Sequence, residues 1–195
     1  MEIHNPKMSG HCSACGITVV SRDGVHVGNM GKSKLLCSRC YNESIAEYLD
    51  LDYKHIAFDP VTLEDQEGVS HTFQFRTHLF SDELSLDAFE VKEDGEGYEF
   101  SIIADAEQDL YISFKSLFER IRRGLSRRHI EYGDCGDQIK DGLVRGRITS
   151  EADDPLAPLL IIDGKPVSWD ELRQMISTYM GFNFKLEIFD RSEEK

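Results

Sequence analysis

Four cysteines stand as two C-x-x-C pairs near the N-terminus: Cys12 and Cys15 in CSACG, Cys37 and Cys40 in LCSRC. Twenty-one residues separate the pairs. A C-x-x-C turn presents two thiolates to one side of a metal, and a second turn supplies two more. This spacing therefore predicts a tetrahedral zinc site. With all four positions filled by sulfur, the site is closed. Closed sites are structural, because catalytic zinc keeps one position open for water. A redox dithiol pair is disfavoured, since the thioredoxin-type motif belongs to a βαβ context missing around these residues. His11 and His26 are imidazoles able to replace a cysteine, though four thiolates need neither. The fifth cysteine, Cys135 in YGDCGD, is unpaired and reads as a free thiol in a turn.

The elements that must hold the sulfurs are short. Gly16 closes CSACG, and glycine reaches the positive φ of a tight turn at little cost. Residues 17–20 and 25–27 read as two strands joined around Asp23-Gly24. After Cys40, the segment 41–50 places Tyr41, Ile45, Tyr48 and Leu49 on one helical face. A knuckle, a hairpin and a second cysteine pair at a helix start resemble a treble-clef or zinc-ribbon-type four-cysteine zinc finger over residues 9–55. The resemblance implies that structural zinc holds a module of residues 1–58 whose core is too small to stand alone.

Charge narrows the partners. The 195 residues carry a formal net charge of −14, unevenly spread. The net is +3 over 1–40, −14 over 41–106, +2 over 107–150 and −5 over 151–195. An acidic chain is a poor prior for generic nucleic-acid binding, in which phosphate contacts dominate affinity. No run approaches the roughly 18 apolar residues of a membrane span. The opening MEIHNPKMSG lacks the apolar core of a secretory signal. Paired cysteines without such a signal point to the reducing cytoplasm and to metal in place of disulfides.

Residues 59–70 (DPVTLEDQEGVS) are polar, acidic and punctuated by Pro and Gly, and read as a linker. Residues 71–195 then form an α+β domain. Runs at 71–80, 84–91 and 98–104 predict three strands, the last two joined at Asp94-Gly95. Asp105 and Gln108 resemble a capping box ahead of a helix with Leu110, Phe114, Leu117, Phe118, Ile121 and Leu125 in one stripe. Strands at 143–149 and 159–162 follow, the second turning at Asp163-Gly164. Ser168 and Glu171 form a capping box for a second helix, and Gly181 stands where its C-terminal glycine belongs. Residues 182–189 (FNFKLEIF) alternate and predict a final strand. The expected order is βββαββαβ, a mostly antiparallel sheet with two helices on one face. The stretches LLIIDGKPVSWDEL and KLEIFDRSEE resemble a bacterial domain of unknown function found after zinc-ribbon modules, which implies no activity.

The most suggestive cluster in this half is basic. Arg120, Arg123 and Arg127 fall on one exposed helical stripe, and Arg145 and Arg147 alternate on one face of a strand. Guanidinium groups suit phosphates or carboxylates bidentately. Cations also favour a helix C-terminus and balance an acidic protein. Arg128 would point toward the core of a continuing helix, so either the helix ends near Gly124 or Arg128 pairs with a carboxylate. The acidic stretch 82–99 reads as a solvated sheet edge or as a surface for a basic protein. No nucleophile elbow, P-loop, dinucleotide fingerprint or H-E-x-x-H is present. His71 and His78 share a strand but point to opposite faces, and Cys135 with His129 is a remote thiol–imidazole pair.

These features favour a cytoplasmic, zinc-binding, non-enzymatic adaptor or regulator with a protein partner and no membrane span. The alternative is a nucleic-acid-binding regulator using the finger (Lys32, Lys34, Arg39) with the arginine stripe. A remoter alternative is an enzyme with its site on the α+β domain.

Overall fold

A computed structural model of the chain describes residues 10–19, 23–28, 33–92, 96–133, 136–151, 154 and 156–193. Lys32, the Asp94-Gly95 turn and Cys135 lie outside the described residues. The fold is α+β, with three α-helices and mostly antiparallel strand pairing among the described residues. Among the described residues, no helix is long and apolar enough to cross a membrane.

The N-terminal part opens with β1 (Gly10–His11), β2 (Thr18–Val19), β3 (Gly24–Val27), β4 (Lys34–Cys37) and α1 (Ser38–Leu49). The pairing differs from the expected 17–20 against 25–27. β2 pairs with β1, and β3 pairs with β4, both antiparallel. The local Asp-Gly signal yields to the loop around Cys12 and Cys15, whose backbone closes on itself. Gly16 N–H donates to Cys12 O (2.8 Å), Cys12 N–H to Ile17 O (2.9 Å) and Ser13 N–H to Leu35 O (2.8 Å). α1 ends at Asp50, whose φ of 55° lets its N–H reach back to the last carbonyls, those of Ala46 and Glu47.

Next come β5 (Val61–Glu64), β6 (Ser70–Phe80), β7 (Glu83–Glu90), β8 (Glu99–Asp105) and α2 (Leu110–Leu125). The strands form one sheet in the order β5-β6-β7-β8. Residues 59–70, read as a linker, thus carry a strand. β5 pairs antiparallel with β6, and the Thr62 and Thr72 hydroxyls meet at 2.8 Å across the ladder. Composition hides this strand because a solvated edge is itself polar. Before α2, Asp109 caps the first turn by accepting from Tyr111 N–H (3.0 Å), while Asp105 makes a turn of its own with Glu107 and Gln108. The expected box at Asp105 and Gln108 therefore does not start the helix. Leu110, Leu117, Ile121 and Leu125 are buried, as their helical spacing requires.

The remainder contains β9 (Ile130–Glu131), β10 (Gln138–Ile139), β11 (Gly146–Ser150), β12 (Pro158–Ile162), β13 (Lys165–Val167) and α3 (Trp169–Ser177). β9 and β10 pair with each other, and β11-β12-β13 form a three-stranded antiparallel sheet. β12 and β13 turn at Asp163-Gly164, with φ of 51° and 68°. Ser168 and Glu171 make the reciprocal capping box of α3. Ile130, Leu160, Ile162, Val167 and Met175 share one buried cluster.

The element order therefore departs from βββαββαβ in three places. A strand precedes the first three, β9, β10 and β13 are added, and residues 182–189 join no ladder among the described residues. That last segment has apolar alternation but both its faces are exposed, so no core fixes a register for it.

The chain divides into two compact units. One comprises residues 1–59, 75–87 and 101–116, and the other residues 60–74, 88–100 and 117–195. In the first, Ala46 of α1 is buried with Leu79, Leu84, Ala106 and Leu110. Phe58 stacks on Phe114 at 4.3 Å. Asn42, fully buried on α1, donates to Thr77 O (3.0 Å), Tyr53 Oη (3.1 Å) and Thr77 Oγ1 (3.2 Å), and its Oδ1 accepts from Leu79 N–H (2.9 Å).

Candidate metal centre

The four cysteines come together from two local structures. Cys12 and Cys15 ride on the turn between β1 and β2, whose closing Gly16 has φ 76°. A left-handed residue there favours glycine, which has no Cβ to strain. Cys37 ends β4 and is also the N-cap of α1, and Cys40 lies in that helix's first turn. All four sulfurs lie within 4.8 Å of one another, and Cys15 Sγ is 3.8 Å from Cys37 Sγ. None is in a disulfide. The four are positioned to hold a metal ion. Thiolates about 2.3 Å from a tetrahedral ion are about 3.8 Å apart, the separation seen for Cys15 and Cys37.

The surroundings favour a charged guest. Cys12 and Cys37 are buried with Val19, against Leu35 and Leu36. Burial pushes thiol pKa values up and is the largest influence on the Cys37 and Cys40 thiols, both of which are raised. At Cys12 burial is outweighed by backbone donors of Cys15, Cys37 and Ala14, which lower its thiol to about 6. One thiolate thus forms readily, while further ionisation in so small a space meets burial and like charge. A divalent cation removes that opposition, so metal uptake and deprotonation are coupled. His11 and His26 are exposed and do not belong to the sulfur cluster.

A second polar cluster, missed in the sequence, surrounds His71. Its Nδ1 meets Glu90 Oε1 at 2.7 Å, and its Nε2 meets Asp65 Oδ2 at 3.4 Å. Glu90 Oε2 accepts from Tyr98 N–H (3.0 Å), and Tyr98 packs edge-on to the imidazole. Burial pushes the Tyr98 hydroxyl well above its ordinary range, with Asp163, Glu90 and Asp65 adding to it. Asp65 is held low in spite of burial, by N–H donors of Val69 and Glu67 and by His71. Both imidazole nitrogens face carboxylates, and the short contact with Glu90 ties β6 to β7. His78 instead stacks on Tyr41, with ring centroids 4.6 Å apart.

The arginines separate into two groups. Arg120 donates to the carbonyls of Arg191 and Ser192 (3.2 Å each), and Arg147 pairs with Glu96 (2.6 Å) and Glu99 (3.2 Å). Arg191 also meets Glu99. Arg123, Arg127 and Arg145 are exposed. The helix ends at Leu125, and Arg128 pairs with Glu67, so both resolutions of its odd position hold. Of the acidic stretch, Asp87 and Glu90 are buried and hydrogen-bonded.

Comparison with known families divides the chain into three successive spans. Residues 11–52 match a domain of unknown function (DUF7685), residues 54–126 a second (DUF7686) and residues 126–193 a third (DUF7713). The first span carries the four cysteines and α1, the second β5 to β8 and α2, and the third β9 to α3. No curated protein and no solved structure matches the chain.

Proposed function

We propose that this is a bacterial, cytoplasmic, zinc-stabilised adaptor or regulator that binds another protein and carries no catalytic activity. Zinc is the ion that fits the donor set, since four thiolates in a closed tetrahedron suit it and leave no position for water. The knuckle of β1 and β2, the β3–β4 hairpin and the two cysteines at the start of α1 support a treble-clef reading.

A protein partner is favoured over a nucleic acid by one observation, the engagement of Arg120 and Arg147 by the chain's own carbonyls and carboxylates. The net charge of −14 also opposes a phosphate-rich partner.

The test is capture from the native host with and without nuclease, alongside metal content of the purified chain. A stoichiometric protein that survives nuclease, with about one zinc per chain, is the expected result. Capture that vanishes after nuclease would refute the adaptor reading and favour the nucleic-acid one.

A further inference from the structure

The segment after α3 is held at both ends and bare between them. At its start, Phe182 N–H donates to Tyr179 O (3.0 Å), and Tyr179 Oη donates to Ile139 O (2.9 Å). At its end, Arg191 meets Glu99, and Arg120 holds the Arg191 and Ser192 carbonyls. Between these anchors Phe182, Phe184, Leu186 and Ile188 are 74%, 90%, 74% and 74% exposed, and Phe189 is 51% exposed. Alternation places the first four on one face of an extended strand, with Asn183, Lys185, Glu187 and Phe189 on the other. So large an apolar set in one short run is far from the scattered exposure normal for a surface.

We infer that residues 183–189 pair antiparallel with the same residues of a second copy of this chain, about a two-fold axis at Leu186. Residues 184–188 are self-complementary about that residue. In this register Lys185 lies opposite the second copy's Glu187 and Glu187 opposite its Lys185, so both charges find opposite partners. Within one chain Lys185 and Glu187 already meet at 2.9 Å on the same face, with 78% and 71% of their side chains exposed, so both reach the face where the cross-strand pairs form. Phe184 lies opposite Ile188, and Leu186 opposite itself, which makes a continuous apolar face from both copies. A two-fold interface demands this self-complementarity, because each residue must meet its image.

Within the paired stretch the apolar face carries Phe184, Leu186 and Ile188 from each copy. Two strands alone are marginal, so the apolar face needs cover. Trp169 and Ile176, on one side of α3 and each about half exposed, and Met180, 85% exposed, supply apolar surface close by in sequence.

The inference goes beyond the adaptor reading and stands on the purified chain alone, so the two fail separately. The experiment is sedimentation equilibrium of the full chain, the single variants K185E and E187K, and their equimolar mixture. The expected result is a dimer for the parent and about 30-fold weaker self-association for each variant, since each places two like-charged pairs across the axis. Mixing the two variants is expected to restore a heterodimer of parental affinity, because opposite charges then face each other at both positions. That recovery also certifies that each variant is folded. A parent that stays monomeric at about 100 μM would overturn the inference, as would variants that dimerise like the parent or a mixture that does not associate.

Discussion

Asn42 offers the sharpest perturbation, because its Nδ2 shares two hydrogens among three acceptors, its Oδ1 accepts one more bond, and it has no exposed surface. The Leu79 N–H has one hydrogen and gives it to Asn42 Oδ1. In Asn42→Ala that donor is orphaned, at a cost of about 1–3 kcal/mol. Tyr53 Oη retains its 3.3 Å approach to His55 and its 3.5 Å approach to Thr77, so it adds little. The vacated space adds a smaller cavity contribution, for a total of about 2–4 kcal/mol by denaturant unfolding at pH 7. Asn42→Asp keeps the acceptor for Leu79 but turns a carboxylate toward the Thr77 carbonyl, where Nδ2 now donates at 3.0 Å. Burial and that oxygen raise the new carboxyl's folded pKa above its unfolded value near 4. The folded variant then holds a proton that its unfolded chain has released, so its deficit grows as pH rises above about 4. Measured against the parent, Asn42→Asp is expected to be at least about 2 kcal/mol worse at pH 7 than at pH 4. A loss below about 0.5 kcal/mol for Asn42→Ala, or a pH-independent deficit for Asn42→Asp, would refute the reasoning.

Three further outcomes are expected. Chelation, or Cys37→Ser, should lose structure beyond the finger, because Ala46 and Asn42 of α1 pack with Leu79, Leu84, Ala106 and Leu110. Hydrogen exchange should then show lost protection in residues 75–87 as well as 10–49, and protection intact in 75–87 would contradict this. Asp87 is buried, yet donors from Ser101, Arg76 and Ser85 outweigh burial and hold its carboxyl below the usual range. Its contribution is therefore present above about pH 4 and lost as pH falls through the lowered folded value. Asp87→Asn should cost about 2–3 kcal/mol at pH 7 and flatten the acid limb of the stability curve; an unchanged limb would contradict the assignment. Gly164→Ala meets two obstacles, a φ of +68° and the Tyr98 ring 2.6 Å from a built Cβ. About 1–2 kcal/mol of backbone strain and a similar overpacking cost predict a loss of about 2–4 kcal/mol in thermal unfolding.

The sequence exposed those features whose signals are local and chemical. Two C-x-x-C pairs need only spacing to be read. The α3 cap at Ser168 and Glu171 and the turn at Asp163-Gly164 are written in neighbouring residues, and they form where expected. Features decided by distant partners were hidden. Residues 17–20 and 25–27 look like one hairpin, but Thr18–Val19 and Gly24–Val27 each pair elsewhere once the sulfur loop closes. Val61–Glu64 looks like linker because an edge strand needs few apolar residues. Residues 182–189 show the opposite case, a strand pattern without a ladder, since periodicity records what a segment can pair with and not whether the partner lies in the same chain. The roles of Arg120 and Arg147 depend on carbonyls and carboxylates that arrive from as far as 72 residues away. His71 carried no motif, and only the approach of Asp65 and Glu90 gives it a role.

The first unit is assembled from separated stretches, 1–59, 75–87 and 101–116, and this bears on the order of events at the ribosome. Cys40 emerges well before Phe75, and at about 5–20 residues per second the gap is roughly 2–7 s. During that interval the nascent finger has all four ligands but none of the strands that later cover α1. Metal captured then would hold α1 in place as a template, ready for the stretches that follow. A shortage of metal would instead leave Asn42 and Ala46 without an ordered helix to carry them when Leu79 and Leu84 arrive. An ion bound at that stage would be an assembly factor with its greatest effect in the first seconds of the protein's life.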